Sequence, residues 1–165
     1  MSVGVLTVSD RCARGQQVDV SGEKIVEWCA AHGFTITQRA VVPDETSAIS
    51  PTLSEWADGG LDLIVTTGGT GLTVRDVTPE GTMAVIDREA PGISEEIRRR
   101  GLDSTPHSLL SRGVAGTRGQ TLIVNLPGSP GGVLDGLAVL DAVVEHAVAL
   151  LRGGDAPHES AGGGQ

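Results

Sequence analysis

The sequence predicts an α/β fold: a three-layer sandwich with a mostly parallel sheet and one antiparallel edge hairpin. Segments with strand and helix patterns alternate along the 165 residues, as they do where crossover helices join parallel strands. The strands at 3–8 and 121–126 are apolar on both faces, which is typical of strands buried on both sides. The weak strand at 114–117 leads through a tight turn into 121–126, so we expect these two to pair antiparallel at a sheet edge.

The first half of the chain is predicted to form three strands and two helices. In chain order these are strand 3–8, helix 21–32, strand 34–42, a helix within 46–58 and strand 61–66. Gly33 is expected to end the first helix, because glycine readily adopts the conformation that caps a helix C-terminus. Pro51 leaves two alternatives for the second helix: it begins with Ser50 as N-cap and Pro51 at its first position, or Pro51 kinks it.

The second half is predicted to be mainly helical around two strands. In chain order the segments are helix 78–89, helix 93–100, strand 114–117, strand 121–126 and helix 133–151. The last helix carries an apolar stripe that is expected to face the core: Val133, Leu137, Leu140, Val144, Val148 and Leu151. Residues 1–152 are expected to form a single domain, and residues 153–165, rich in Gly, Ala and Pro, a flexible tail.

The composition disfavours several classes of function. A net charge of -9, a pI of about 4.7 and 2% aromatic residues argue against nucleic-acid binding, which needs a basic surface or exposed stacking side chains. Asp135, Asp141 and Glu145 interrupt the longest apolar helix, so no membrane span is expected. No signal peptide pattern is present, and Cys12 and Cys29 form no C-x-x-C pair, so we expect a reduced, cytoplasmic protein.

Loops of unusual composition follow the strong strands. They are Ser9-Asp10-Arg11, Pro43-Asp44-Glu45, Thr67-Gly68-Gly69-Thr70-Gly71 and Pro127-Gly128-Ser129-Pro130. In an open parallel sheet, ligands bind beyond the carboxyl ends of the strands, so all of these loops are expected to share one rim. Asp76, which follows Gly71 by five residues, can fold back over the same rim.

The residue types on this rim predict an anion-binding site that contains a divalent cation. Glycines at 68, 69 and 71 let backbone N–H groups approach and cradle an anion. Ser129 and Pro130 open the last helix, whose N-terminus favours a phosphate or carboxylate. Carboxylates beside phosphates in an acidic protein repel them unless a cation bridges the two, and Mg²⁺ suits that arrangement.

Several standard motifs are missing, and several residues have an ordinary structural interpretation. The chain lacks the P-loop pattern, the complete dinucleotide-binding fingerprint and the G-x-S-x-G nucleophile elbow. Any one of the Gly-rich loops alone is a common turn in α/β proteins. Trp28 and Trp56 are expected to pack, and Arg98-Arg99-Arg100 to be a solvated helix end. The histidines are interpreted as structural or exposed: His32, His107, His146 and His158.

Taken together, the rim segments resemble a known family. Thr66-Thr67-Gly68-Gly69-Thr70-Gly71 is followed by Arg75-Asp76-Val77-Thr78-Pro79-Glu80, and this combination is highly specific. Further matching segments lie at 5–11, 19–22, 42–45 and 126–130. Over residues 3–151 the chain resembles the MogA/MoaB family of molybdenum cofactor biosynthesis, also called the molybdopterin-binding domain.

The resemblance implies an activity and a set of site residues. Members have a three-layer α/β fold, usually assemble as homotrimers, and transfer AMP from Mg-ATP to the terminal phosphate of molybdopterin, releasing pyrophosphate. Carried over, Asp44 and Asp76 are the catalytic carboxylates and the candidate Mg²⁺ ligands. The implied substrate-binding residues are Ser9, Asp10, Thr67, Gly68, Gly69, Thr70, Gly71, Gly128 and Ser129. The implied partners are molybdopterin, ATP, further copies of the chain and a molybdate-inserting protein that receives the product.

The sequence leaves open hypotheses of different classes. The chain is an adenylyltransferase, or it is a MoaB-type carrier trimer that binds molybdopterin without turning over ATP, since both need the Gly-rich rim. An interaction protein with a vestigial site is a third alternative. Pro51 departs from the uninterrupted helix usual in the family, which leaves the shape of the segment after Asp44 open. Arg11, Arg75 and Arg112 are candidates to supply positive charge to the anions.

Overall fold

The computed structural model describes residues 1–153, and a six-stranded sheet in the order β2-β1-β3-β6-β5-β4 forms its middle layer. The strands are β1 Ser2–Val8, β2 Thr35–Val42, β3 Leu63–Thr67, β4 Arg88–Glu89, β5 Ala115–Arg118 and β6 Thr121–Leu126. Strands β2, β1, β3 and β6 are parallel. Strand β5 pairs antiparallel with β6, and β4 with β5. The predicted sheet, with its antiparallel edge hairpin, is confirmed.

Helices on both faces complete the three layers. They are α1 Asp10–Ala13, α2 Val20–Ala31, α3 Thr46–Asp58, α4 Thr78–Met83, α5 Pro91–Gly101 and α6 Pro130–Leu151, with a 3-10 helix at Pro106–Leu110. Because side chains alternate along a strand, β1 contributes side chains to two apolar clusters, one on each face of the sheet. Val3 and Val5 lie in the cluster that includes α2, α5 and α6, and Leu6 and Val8 lie in the one that includes α3.

The long C-terminal helix packs as its apolar stripe predicts. The stripe belongs to the cluster of α2 and α6, where all its members are buried except Leu151, which is partly buried. Trp28 and Trp56 lie in opposite clusters, 8% and 7% exposed. The prediction that both tryptophans serve packing is confirmed, and the other buried hydrophobic residues of the described chain are aliphatic except Cys29.

Pro51 lies inside α3, so of the two alternatives the one with Ser50 as N-cap is wrong. The helix begins at Thr46 and continues through Pro51 to Asp58. Proline removes one helical N–H donor, but Ile49, Leu53 and Trp56 keep the buried face of the helix on the sheet. Burial of this face outweighs the lost hydrogen bond.

Short elements account for the other differences from the predicted fold. Residues 10–13, expected as loop, form one helical turn capped by the hydroxyl of Ser9. The helix predicted over 78–89 ends at Met83, and residues 88–89 form the edge strand β4. A pair of residues is too short to show a strand pattern. The helix predicted over 93–100 extends over 91–101, because Pro91 takes an initial helical position.

The basic cluster at the end of α5 is not uniformly solvated. The Arg98 guanidinium donates to the carbonyl oxygens of Ser111 (3.3 Å) and Gly113 (2.9 Å), which joins α5 to the segment before β5. The expectation of a solvated helix end is therefore wrong for Arg98.

The predicted tail lies outside the described residues from 154 onward. None of the helices described here is long and apolar enough to span a membrane.

Candidate active site

The parallel strands bring the predicted loops to one rim, where the chain forms a two-lobed cleft. The first lobe has a volume of ≈ 370 Å³ and the second ≈ 670 Å³. Both lobes are lined by Gly69, Asp76 and Gly128, so they adjoin there. The four rim loops thus meet at one cleft, as expected for strands that run parallel.

The predicted site residues are distributed over both lobes. Those lining the first lobe are Ser9, Asp44, Thr67, Gly68, Gly69, Asp76 and Gly128. Those lining the second lobe are Gly69, Thr70, Gly71, Asp76, Gly128 and Ser129. Asp10 lines neither lobe; its carboxylate is held by protein groups described below. The binding roles of all these residues stay predictions.

Gly68 and Gly69 form a Gly-rich floor of the cleft, where no larger residue fits. Both have positive φ, +94° and +64°, which side chains other than glycine rarely adopt. A Cβ on Gly68 would lie 2.2 Å from the carbonyl oxygen of Val8, and one on Gly69 2.3 Å from Oγ1 of Thr78. A Cβ on Gly128 would lie 3.3 Å from Cα of Gly68, so the backbones of two rim loops touch.

Buried hydroxyls hold these loops together. Thr67 donates to the carbonyl of Pro127 (2.7 Å), which joins the ends of β3 and β6. Thr78, fully buried, donates to the carbonyl of Gly68 (2.9 Å). Ser21 donates to the carbonyl of Gly128 (2.8 Å). The Gly-rich floor is therefore preorganised before any ligand binds.

Asp44 and Asp10 exchange hydrogen bonds across the ends of β1 and β2. The Asp10 N–H donates to Oδ2 of Asp44 (2.7 Å), and the Asp44 N–H donates to Oδ1 of Asp10 (3.1 Å). The remaining side of Asp10 accepts two hydrogen bonds from the Arg75 guanidinium. The hydrogen bonds from Arg75, together with the one from the Asp44 N–H, lower the pKa of Asp10 against the effect of burial.

The pKa of Asp44 is raised. Burial is the main cause, and the negative charges of Asp10 and Asp76 raise it further, against a backbone hydrogen bond from Asp10 that lowers it. Oδ1 of Asp44 lies 3.0 Å from where a Cβ on Gly69 would be, so this carboxylate reaches the Gly-rich floor. A carboxylate under such repulsion favours a bound cation.

Asp76 lies between the two lobes at the end of an irregular loop. Its Oδ2 accepts hydrogen bonds from the N–H (2.9 Å) and hydroxyl (2.7 Å) of Thr73. Arg112 anchors the same loop from outside, donating to the carbonyls of Gly71 (2.8 Å) and Asp76 (2.5 Å) and pairing with Glu80. Arg112 thus supports the loop, and its guanidinium is engaged there.

Two helix N-termini face the cleft. Asp19 caps α2, accepting from Gly22 N–H (2.8 Å), and its other oxygen accepts the hydroxyl proton of Thr7 (2.7 Å). Ser129 caps α6, accepting from Gly132 N–H (3.1 Å). The dipole of α6 adds positive potential to the cleft, whereas at α2 the carboxylate of Asp19 offsets the dipole.

The structure adds lining residues that the sequence reasoning did not select. Asp19 and Ser21 line the first lobe beside Cys12, Gln17 and Val18. Asp19 and Ser21 lie in the segment 19–22, which matches the family pattern. The sequence therefore contains a signal that could have identified them. The second lobe is completed by the 3-10 helix, where His107 and Leu110 line it; this segment has no periodic pattern that could have revealed it.

The donor set fits one divalent cation that is shared with phosphates. Within residues 1–153, no three metal-ligating side chains cluster. Asp44 and Asp76 line the same lobe, and the charge of Asp76 contributes to the raised pKa of Asp44, so the two carboxylates interact electrostatically. Mg²⁺ commonly takes one or two carboxylates together with substrate phosphates and water, which agrees with this arrangement.

Comparison with known proteins places the chain among molybdenum cofactor proteins. Residues 4–146 match the model of the "Probable molybdopterin binding domain". A molybdopterin adenylyltransferase from Escherichia coli K12 is 40% identical, over 90% of this chain and 80% of its own length. Gephyrin from Dictyostelium discoideum is 41% identical over 91% of the chain, but the chain spans only 22% of its length.

Solved structures have the same fold. A structure of MogA is 46% identical with a TM-score of 0.88, covering 92% of this chain and 99% of its own. MoaB from Thermus thermophilus is 50% identical with a TM-score of 0.87, covering 92% and 96%. The chain therefore belongs to the MogA/MoaB family of molybdopterin-binding domains, as its sequence predicts, and has its place in molybdenum cofactor biosynthesis.

Proposed function

We propose that the chain is a molybdopterin adenylyltransferase that transfers AMP from Mg-ATP to the terminal phosphate of molybdopterin. The observation that carries this proposal is the meeting of Asp44, Asp76 and the Gly-rich floor in one cleft. Curated relatives of similar length are molybdopterin adenylyltransferases, and they are about 40% identical to this chain. Their similarity supports the proposal.

The proposed reaction needs no protein nucleophile. An oxygen of the molybdopterin phosphate attacks the α-phosphorus of ATP, a new P–O bond forms, and the bond to the β-phosphate oxygen breaks to release pyrophosphate. Catalysis then depends on placing the two phosphates in line and balancing their charge. A cleft with two adjoining lobes that share Gly69, Asp76 and Gly128 suits two substrates that react where the lobes meet.

The chain's own groups would bind and orient the anions. Backbone N–H groups of the loop 68–71 and the N-terminus of α6 offer donors to the cleft. The hydrogen bonds from Thr67 and Thr78 keep these donors in place, so they need little reorganisation during the reaction.

Asp44 and Asp76 would hold the divalent cation. When bound, that cation neutralises phosphate charge that the acidic cleft would otherwise repel. Its binding would also offset the burial and the negative charges of Asp10 and Asp76 that raise the pKa of Asp44. We further propose that the protein acts in the cytoplasm as a homotrimer and passes its product to a molybdate-inserting protein.

The proposal is tested by incubating purified protein with molybdopterin, MgCl₂ and ATP labelled at the α-phosphate. We expect adenylylated molybdopterin and stoichiometric pyrophosphate. Asp76→Ala and Asp76→Asn should reduce the rate about 100-fold or more with the fold intact, whereas Glu55→Gln, on the exposed face of α3, should behave like wild type. Near-normal turnover by the Asp76 variants would refute the role of this residue.

The second candidate function is a carrier that binds molybdopterin without using ATP. The 50% identity to a MoaB structure supports this second candidate. Molybdopterin binding without pyrophosphate release would establish the carrier and reject the transferase. Failure to bind molybdopterin at all would reject both and favour an interaction protein with a vestigial site.

A further inference from the structure

We propose that Arg75 is a positioning residue: its guanidinium holds the loop that carries Asp76 against the Asp10–Asp44 pair, so that both cleft carboxylates face one site. The inference rests on the proposed adenylyl transfer, in which Asp44 and Asp76 act together. It gives Arg75 no contact with substrate, and so differs from the charge-supplying role considered from the sequence.

Arg75 and Asp10 form a bidentate ion pair between segments 65 residues apart. Nε donates to Oδ2 and Nη2 to Oδ1, both at 2.9 Å. Such a pair fixes the relative orientation of both groups. Nη2 also lies 3.8 Å from Oε1 of Glu45, and Arg75 lines neither lobe of the described cleft. The guanidinium is therefore directed at protein carboxylates.

Asp10 transmits this constraint to Asp44. The two residues exchange backbone-to-carboxylate hydrogen bonds of 2.7 and 3.1 Å, so these hydrogen bonds join the ends of β1 and β2. Arg75 directly precedes Asp76 in the chain. Its ion pair with Asp10 thus fixes where the backbone of Asp76 lies relative to Asp44.

The loop has a second, independent anchor, which makes the role of Arg75 separable from folding. Arg112 donates to the carbonyls of Gly71 and Asp76 without contacting the Asp10–Arg75 pair. The Arg75 side chain is about half exposed, 51%, and exposed ion pairs add little to stability. Loss of Arg75 is therefore expected to loosen the position of Asp76 and to leave the fold intact.

The test compares Arg75→Gln, Arg75→Lys, Asp10→Asn and the Arg75→Gln/Asp10→Asn double variant. Arg99→Gln is the matched control, because Arg99 makes the same bidentate pair with Glu96 on the exposed side of α5. For each protein, kcat and KM for ATP are measured, together with the Kd of molybdopterin without ATP or Mg²⁺, the melting temperature, and backbone hydrogen exchange at residues 71–77.

Arg75→Gln should lower kcat about tenfold or more, because a small displacement of a catalytic group has effects of this size. KM, molybdopterin Kd and melting temperature should stay close to wild type, and exchange should accelerate at residues 71–77 only. Arg75→Lys should recover part of kcat. The double variant should lose no more than the worse single variant, since both changes break one pair. Arg99→Gln should change none of these.

Three results would overturn the inference: unchanged kcat in Arg75→Gln, a rise in KM or Kd that accounts for the whole loss, or additive losses in the double variant. If wild type itself transfers no AMP, the proposed function fails. Hydrogen exchange at residues 71–77 then still decides the positioning role, because unchanged exchange in Arg75→Gln would reject it.

Discussion

Gly68 and Val8 approach so closely that a Cβ on Gly68 would lie 2.2 Å from the carbonyl oxygen of Val8. The contact joins the end of β1 to the turn after β3, and it lies beneath the cleft. Because the obstructing atom belongs to the backbone of a central strand, it cannot move aside as a flexible side chain would. The glycine is therefore fixed by space as well as by its φ of +94°.

Gly68→Ala should destabilise the protein by about 3 kcal/mol or more, combining the steric conflict with backbone strain, and should abolish molybdopterin binding. Gly60→Ala is the matched control: its φ is +85°, but nothing lies within 4 Å of the added Cβ, so about 1 kcal/mol is expected. Urea unfolding and equilibrium dialysis give both quantities. Equal losses in the two variants would mean that the close approach to Val8 has no effect.

Asp44→Asn should separate activity from stability. The folded-state pKa of Asp44 lies above its usual value, so its negative charge costs folding free energy at neutral pH. Asparagine can still accept the Asp10 N–H hydrogen bond. We expect a melting temperature equal to or above that of wild type and a loss of AMP transfer of about 100-fold.

Calorimetry and the labelled-ATP assay test the Asp44 prediction. Added MgCl₂ should raise the wild-type melting temperature more than that of Asp44→Asn, because a bound ligand stabilises only the state that binds it. A clear drop in the melting temperature of Asp44→Asn would contradict the idea that the buried negative charge of Asp44 costs folding free energy.

Asn125 connects the sheet to the floor of the site through buried hydrogen bonds. Its Nδ2 donates to the hydroxyls of Thr66 (3.0 Å) and Thr82 (2.9 Å), and its Oδ1 accepts the Val114 N–H (3.2 Å). Thr82 donates in turn to the carbonyl of Thr78. All buried side-chain polar atoms of the described residues have partners, so a change here leaves some without one.

Asn125→Leu should lower the free energy of unfolding by about 2–4 kcal/mol, because it leaves buried polar groups without hydrogen-bond partners. The Asn125→Leu/Thr66→Val double variant should be less destabilised than the sum of its single variants, since it removes both partners of one hydrogen bond. Chemical denaturation measures the free energies of unfolding. Strict additivity would show that this hydrogen bond does not contribute.

The sequence predicts the common rim because that rim depends only on strand direction. The loop containing Gly69 follows β3, which is buried throughout, and the loop containing Asp44 follows the more exposed edge strand β2. Parallel pairing of both strands with β1 places the two loops together. Strand direction could not predict the ion pair between Asp10 and Arg75, because these residues are 65 positions apart in the sequence. Likewise β4 and the 3-10 helix at Pro106–Leu110 are too short for a periodic pattern.

At the opposite end of β1, Asp62 joins the N-terminal strand to the end of α6. Its carboxylate accepts from the N–H (2.6 Å) and hydroxyl (3.0 Å) of Ser2 and from Nε of Arg152 (2.8 Å). Burial raises the pKa of Asp62, but these hydrogen bonds outweigh it, so the pKa lies below its usual value. The ionised carboxylate therefore contributes to the stability of the fold.

Asp62→Asn should lower the free energy of unfolding by about 2 kcal/mol at neutral pH, the scale of hydrogen bonds to a charged group. Since the folded pKa is depressed, this contribution is fully present above the unfolded pKa of about 3.9 and is lost as the pH falls through the folded pKa. Urea unfolding at several pH values should therefore show the difference between variant and wild type shrinking in acid. Asp58→Asn, in the exposed pair with Arg118, is the control: its free energy of unfolding should differ much less from wild type at every pH, because solvent screens that pair. A loss of unfolding free energy in Asp62→Asn that does not depend on pH would mean that the charge of Asp62 does not stabilise the fold.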